Sequence, residues 1–332
     1  MIFHPAIIAL LAGSLLLSLM LCYSCYYGVL ILRRWNIASG SELQLELERR
    51  TYLISTIMTY MLGFQLLSLF LFIHTADSLH PLFIGAMCAA GTLNANIWGY
   101  PTIILKVVNF LAAGLWLIMN HVDNRGYDYP LIKKKYFLLL AFTPFILGET
   151  FLQGAYFLGI KPEIITSCCG TLFSSDAQGV VSSIVALPRI PAELIFFSSM
   201  ALTFATGIYF HAKGKGGYLF SASCAVSFVV SIAALISFIS IYFYALPTHH
   251  CPFCILHEEY KYVGYALYSA FLLGSVSGLG VGVTMPFREI ESLHAVLPGI
   301  QRRLTAISLM AFLLFLIVSL CGMAFSSLRL EG

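Results

Sequence analysis

The chain has 332 residues, of which 59% are hydrophobic and only 10% are charged, and its formal net charge is +3. A soluble domain usually has about 25% charged residues, so this chain cannot cover a folded surface with polar groups and is expected to have lipid as its solvent. The small net charge gives no indication of nucleic-acid binding.

Eight apolar stretches are long enough to cross a bilayer as helices, which takes about 20 apolar residues each. We therefore predict an all-α, polytopic transmembrane helical bundle that forms a single integral membrane domain over residues 1–332. The first stretch is too long for a signal peptide, and its arginines follow the apolar run instead of preceding it, so we interpret it as a retained span. The predicted spans cover residues 6–32, 52–73, 101–120, 136–158, 191–211, 217–246, 259–285 and 304–327.

The segment between the first two stretches is polar and rich in helix-forming residues. Ser41 precedes this segment and is a suitable N-cap, because its hydroxyl can accept a hydrogen bond from the first turn. We predict that the second helix begins here and runs on into its membrane span.

Basic residues alternate from loop to loop along the chain, and thirteen of the eighteen Lys and Arg lie in every second loop. Because cytoplasmic loops carry an excess of Lys and Arg, these loops are predicted to be cytoplasmic and both termini exoplasmic. This topology fits a multi-pass protein of the bacterial cytoplasmic (inner) membrane. The thirteen residues are Arg33, Arg34, Arg49, Arg50, Arg125, Lys133, Lys134, Lys135, Lys213, Lys215, Arg288, Arg302 and Arg303.

The nine cysteines are not spread evenly over the predicted topology. Four lie inside spans, where cysteine is usually a small apolar side chain. The other five fall in the three predicted exoplasmic loops, on the side where disulfides can form and persist. These five are Cys88, Cys168, Cys169, Cys251 and Cys254.

The segment Cys251-Pro252-Phe253-Cys254 carries the sharpest motif. A C-x-x-C pair just before a spanning helix would place a thiol near a helix N-terminus, which lowers the thiol pKa and suits disulfide exchange. The same segment also suits a soft metal, since His249, His250 and His257 add imidazoles to the two thiolates as ligands for Cu(I) or Zn(II). A disulfide that only closes the loop is the third interpretation.

The adjacent Cys168 and Cys169 form a second candidate set. Neighbouring cysteines rarely bond to each other, so we expect them to face two different partners. Cys88 could pair with one of them.

The segment from Cys251 to Tyr260, CPFCILHEEY, resembles the disulfide-bond oxidoreductase B and vitamin K epoxide reductase families. The resemblance implies that Cys251 and Cys254 lie beside a bound quinone. It also implies that a second cysteine set, Cys168 and Cys169 with Cys88, relays oxidising equivalents to a soluble thioredoxin-like protein.

Few ionisable residues fall within the spans, where a charge is costly and needs a partner. Lys106 lies in the third span, and Glu149 and Gln153 lie in the fourth. One interpretation is a polar pocket for a quinone headgroup or for proton transfer. One alternative is a Lys106–Glu149 pair that only holds two helices together. Another is a Lys106 side chain that extends to the membrane–water interface.

Three functions follow from these observations. The first is a membrane thiol–disulfide oxidoreductase, quinone-linked, whose exchange cysteines are the five named above. The second is a copper- or zinc-handling or metalloenzyme-assembly protein with a metalloprotein partner. The third is a membrane anchor subunit of an electron-transfer complex, so enzymatic activity itself is left open.

Overall fold

Helices form nearly all of the regular structure in the computed structural model, which describes residues 4–161, 184–185 and 187–328. Eight of the described helices are long and apolar enough to cross a membrane, which confirms the predicted all-α, multi-pass membrane protein. The helices are α1 Pro5–Arg34, α2 Glu42–Ser78, α3 Ala89–Leu93, α4 Gly99–Asp123, α5 Ile132–Gly159, α6 Arg189–Lys213, α7 Gly217–Ala234, α8 Val263–Thr284, α9 Glu291–His294 and α10 Leu297–Phe325. Helix α7 continues through a π-helical turn, Leu235–Ile239, to Tyr244.

Two of the helix ends that differ from the apolar runs have local causes. Helix α2 begins in the polar segment, as predicted, and the Ser41 hydroxyl accepts the N–H of Gln44 at 3.3 Å. Helix α8 begins only at Val263, because Lys261 and Tyr262 adopt left-handed conformations with φ of 53° and 55°. Left-handed residues cannot continue a right-handed helix, so the segment before α8 stays separate from it.

The chain divides into two compact units. The first holds Met1–Thr75, Asn96–Ile160 and Pro286–Ile300, and the second holds Ala76–Ala95, Lys161–Met285 and Gln301–Gly332. Whether residues 1–332 act as one domain stays a prediction.

In the first unit, α1 and α4 each pack along α5. Their shared core contains the fully buried side chains of Trp116 and Tyr136. A buried ion pair also lies where α4 and α5 are joined. The Lys135 ammonium contacts the Asp123 carboxylate at 2.6 Å, although the charge pattern assigned this lysine to a loop.

In the second unit, α7 packs between α6 and α8, and small residues allow the close approach. A Cβ atom added at Gly278 of α8 would overlap the Cys224 side chain of α7 and lie 3.0 Å from the Ser308 hydroxyl oxygen of α10. Small residues commonly let membrane helices pack at such short distances.

We expect Gly278→Ala to lower the free energy of unfolding by about 1–3 kcal/mol, since the added methyl overpacks a filled interface. The measurement is the thermal unfolding midpoint of the purified protein in detergent. Gly154→Ala is the matched control, because a Cβ at Gly154 of α5 meets nothing within 4 Å. Equal midpoints for the two variants would contradict this packing.

Candidate functional site

Three cysteines from two separate segments of the second unit come together. The Sγ atoms of Cys88, Cys251 and Cys254 all lie within 4.8 Å of one another, and those of Cys88 and Cys251 are 3.6 Å apart. All three side chains are buried. We call this set the thiol cluster.

Cys88 is held in place by the helix that follows it. It occupies the N-cap position of α3 in an extended conformation, and every residue of that short helix is buried. The next residue, Ala89, donates its N–H to the Asp77 carboxylate Oδ1 at 3.0 Å. This bond ties the Cys88 segment to the end of α2.

The Cys251–Cys254 segment is held by two tyrosines. The Tyr244 hydroxyl donates to the Cys251 carbonyl and accepts the Ile255 N–H at 2.9 Å, so a single side chain closes the loop. The Tyr268 hydroxyl of α8 donates to the Pro252 carbonyl. Three of the loop's backbone groups are therefore satisfied by phenol oxygens.

The motif had indicated that the loop lies at the N-terminus of the spanning helix. In the structure it does not. Cys254 begins a single 3-10 turn, Cys254–Leu256, and α8 starts well after it, at Val263. The sequence predicted that a helix macrodipole lowers the pKa of Cys251. The spanning helix does not begin at Cys251, so the structure does not provide this effect.

The three predicted histidine ligands point to different partners. His249 Nε2 lies 3.3 Å from Cys254 Sγ, at the edge of the thiol cluster. His250 instead donates through Nδ1 to the Ile236 carbonyl at 3.1 Å. His257 contacts the Asp77 carboxylate through Nε2 at 2.7 Å, and this hydrogen bond raises the pKa of His257.

Lys106 and Glu149 pair within a hydrogen-bonded network in the first unit. Lys106 Nζ lies 2.6 Å from Glu149 Oε1, and Gln65 and Asn109 donate to the other carboxylate oxygen. Gln153 is not part of this network, since its amide donates to Leu10 and Ser14 of α1. The quinone role of Lys106, Glu149 and Gln153 stays a prediction.

Two predicted cysteines, Cys168 and Cys169, lie outside the described residues. Their place as a relay set therefore stays a prediction. Conversely, sequence reasoning missed Asp77, Tyr244 and Tyr268 as residues that position the site. The one sequence signal for Asp77 was its spacing of three residues from His80 at the end of an apolar stretch.

Gly264 gives a test of how tightly this loop is held. A Cβ at Gly264 would lie 2.9 Å from the Ile255 carbonyl oxygen, so Gly264→Ala is expected to displace the Cys251–Cys254 segment. We expect faster alkylation of Cys254 in the variant, measured by mass spectrometry after a timed maleimide pulse. Gly63→Ala, whose Cβ meets nothing within 4 Å, should leave the rate unchanged; equal rates in the two variants would contradict the contact.

Comparison with known proteins found no match. No protein-family model, curated protein or solved structure matches the chain. The resemblance of CPFCILHEEY to the membrane thiol oxidoreductases therefore stays a prediction.

Proposed function

We propose that this membrane protein binds a soft metal ion, Cu(I) or Zn(II), through Cys88, Cys251 and Cys254. The observation that carries the proposal is the mutual approach of three buried sulfur atoms from two segments. A disulfide joins only two sulfurs, whereas a metal ion uses all three. Thiolates are the ligands that select such ions.

The sulfur separations support this choice. Two thiolates that bind one tetrahedral ion, each at about 2.3 Å, stand about 3.8 Å apart. The Cys88 and Cys251 sulfurs are 3.6 Å apart, so these two sulfurs can hold one ion with only small side-chain shifts. The thiols lose their protons when the ion binds, which makes uptake dependent on pH.

His249 is the proposed fourth ligand. A nitrogen and a sulfur bound to the same tetrahedral ion lie about 3.5 Å apart. His249 Nε2 and Cys254 Sγ are 3.3 Å apart, and the imidazole packs against the Tyr244 ring in a T-shaped arrangement with centroids 4.7 Å apart. His250 and His257 keep their own partners and stay outside the ligand set.

In this proposal the protein handles copper or zinc at a membrane, and it passes the ion to or from a metalloprotein. The proposed location is the exoplasmic face of the bacterial cytoplasmic membrane. The one-sided distribution of the cysteines over the predicted loops supports that placement.

Thiol–disulfide exchange is the second candidate, and the contact between Cys88 and Cys251 favours it. In a chain that holds a Cys251–Cys254 disulfide, the Cys88 thiolate would attack Cys251 Sγ. The Cys88–Cys251 bond forms, the Cys251–Cys254 bond breaks, and the electron pair leaves on Cys254 as a thiolate. A quinone would then be the net electron acceptor and a thioredoxin-like protein the electron donor.

Metal analysis and thiol trapping on the same purified protein separate the two functions. We expect wild type to bind about one copper or zinc ion per chain more than the Cys251→Ser/Cys254→Ser variant does. Exposed cysteines give the matched control, so Cys22→Ser/Cys321→Ser should keep the metal. Metal-free protein with a mapped disulfide among the three cysteines would overturn the metal proposal and favour exchange.

A further inference from the structure

A second cluster of metal-ligating groups lies beside the thiol cluster without including any of its sulfurs. Ligand atoms of Asp77, His80 and His257 all lie within 4.8 Å of one another. The residues belong to the second unit, at the end of α2, on the turn after it and in the loop that follows Cys254. We propose that these residues form a separate binding site for a first-row divalent cation.

The backbone fixes the tautomer of the neutral His80 ring. Its Nδ1 lies 2.6 Å from the Asp77 carbonyl oxygen, which can only accept, so Nδ1 carries the proton. The lone pair is therefore on Nε2, the nitrogen that is available to a cation. A histidine that donates one ring N–H to a carbonyl and ligates through the other is the usual arrangement in metal sites.

A backbone hydrogen bond also orients the Asp77 carboxylate. Its Oδ1 accepts the Ala89 N–H at 3.0 Å, which orients the group. Among the residues that the structure describes, no hydrogen bond reaches Oδ2, so this oxygen is available for a cation. The carboxylate supplies the negative charge that a divalent ion needs.

His257 completes the set. Its Nε2 donates to Asp77 Oδ1 at 2.7 Å, so a cation that binds here replaces this proton, and its Nδ1 lies 3.7 Å from Glu259 Oε2 on the opposite side. Its ring stacks on the His80 ring with centroids 5.4 Å apart. At 3.7 Å the Glu259 carboxylate acts on the Nδ1 side of the ring through its charge and not through a hydrogen bond.

The chemistry of the donor set indicates which ions it takes. Two imidazoles and one carboxylate with open positions are the ligands of Fe(II) and similar ions, and they do not have the sulfur that selects Cu(I). The Asp77 and His257 side chains are each 16% exposed, so an ion can enter from solvent. The site does not rest on the proposed thiolate function, since it shares none of its ligands.

Mn(II) is the probe, because it favours carboxylate and imidazole and avoids thiolate. The free ion is counted by electron paramagnetic resonance during titration of purified full-length protein in detergent, with excess Mg(II). We expect one bound Mn(II) per chain, and at least tenfold weaker binding in His80→Gln and in His257→Gln. Asp77→Asn, which keeps an acceptor for Ala89, should weaken binding in the same way.

Two controls separate this site from other effects. His211→Gln, at an exposed helix end, should bind Mn(II) like wild type. Cys251→Ser should also bind Mn(II) like wild type, whether or not it loses copper or zinc. The proposal is overturned if wild type binds no more Mn(II) than the His80→Gln/His257→Gln variant, or if Cys251→Ser removes the Mn(II).

Discussion

Replacing Cys88 with serine is expected to weaken copper or zinc binding by more than about 10–100-fold. That is the typical loss when a residue that only hydrogen-bonds to a metal ligand is removed. Cys88 lies 163 residues from Cys251 in sequence, yet their sulfurs are 3.6 Å apart. If the CPFC loop alone held the ion, Cys88 would have no effect. A competition titration against a chromophoric chelator measures the dissociation constant.

The control for this prediction is a cysteine outside the thiol cluster. Cys22 and Cys321 are exposed and belong to α1 and α10, so their serine variants should bind the ion like wild type. If Cys88→Ser binds the ion as tightly as Cys22→Ser does, the three-sulfur site is wrong and a two-cysteine site remains.

Replacing Lys106 with methionine is expected to lower the free energy of unfolding by about 3–5 kcal/mol, because it leaves the Glu149 carboxylate buried without its counter-charge. The two side chains are 1% and 2% exposed and meet at 2.6 Å. Lys106 Nζ also lies 5.3 Å from the centre of the Phe72 ring. The measurement is equilibrium unfolding in mixed detergent micelles.

The double variant Lys106→Met/Glu149→Gln supplies the control. It removes both charges and keeps the amide and hydroxyl groups around them, so most of the lost stability should return. A double variant that is as unstable as Lys106→Met would show that the cost comes from lost packing instead of an unpaired charge.

Much of the fold could be predicted from the sequence, because a bilayer requires each span to be a continuous apolar run. The eight spans follow from those runs alone, and Ser41 indicated the early start of α2. A Lys106–Glu149 pair was one of the interpretations that the sequence allowed, since a charge within a span needs a partner, and the structure contains this pair. Lys135 was misplaced because a lysine next to a loop carries no sequence signal of its burial against Asp123.

The candidate site could be predicted only in part. The CPFC motif is local, so two of the three sulfurs were evident. Their meeting with Cys88 depends on tertiary contacts that no short pattern encodes. The histidines were harder, because closeness in sequence indicated a single cage, whereas His249 contacts Cys254 and His257 contacts Asp77 in the structure.

The most direct test of the thiolate site is X-ray absorption spectroscopy at the copper or zinc edge of the purified, metal-loaded protein. Coordination by Cys88, Cys251 and Cys254 predicts a shell of three sulfur atoms at about 2.3 Å for zinc. In Cys88→Ser the shell should fall to two sulfurs. A spectrum with only nitrogen and oxygen neighbours, or a two-sulfur shell that Cys88→Ser leaves unchanged, would contradict the proposed metal centre.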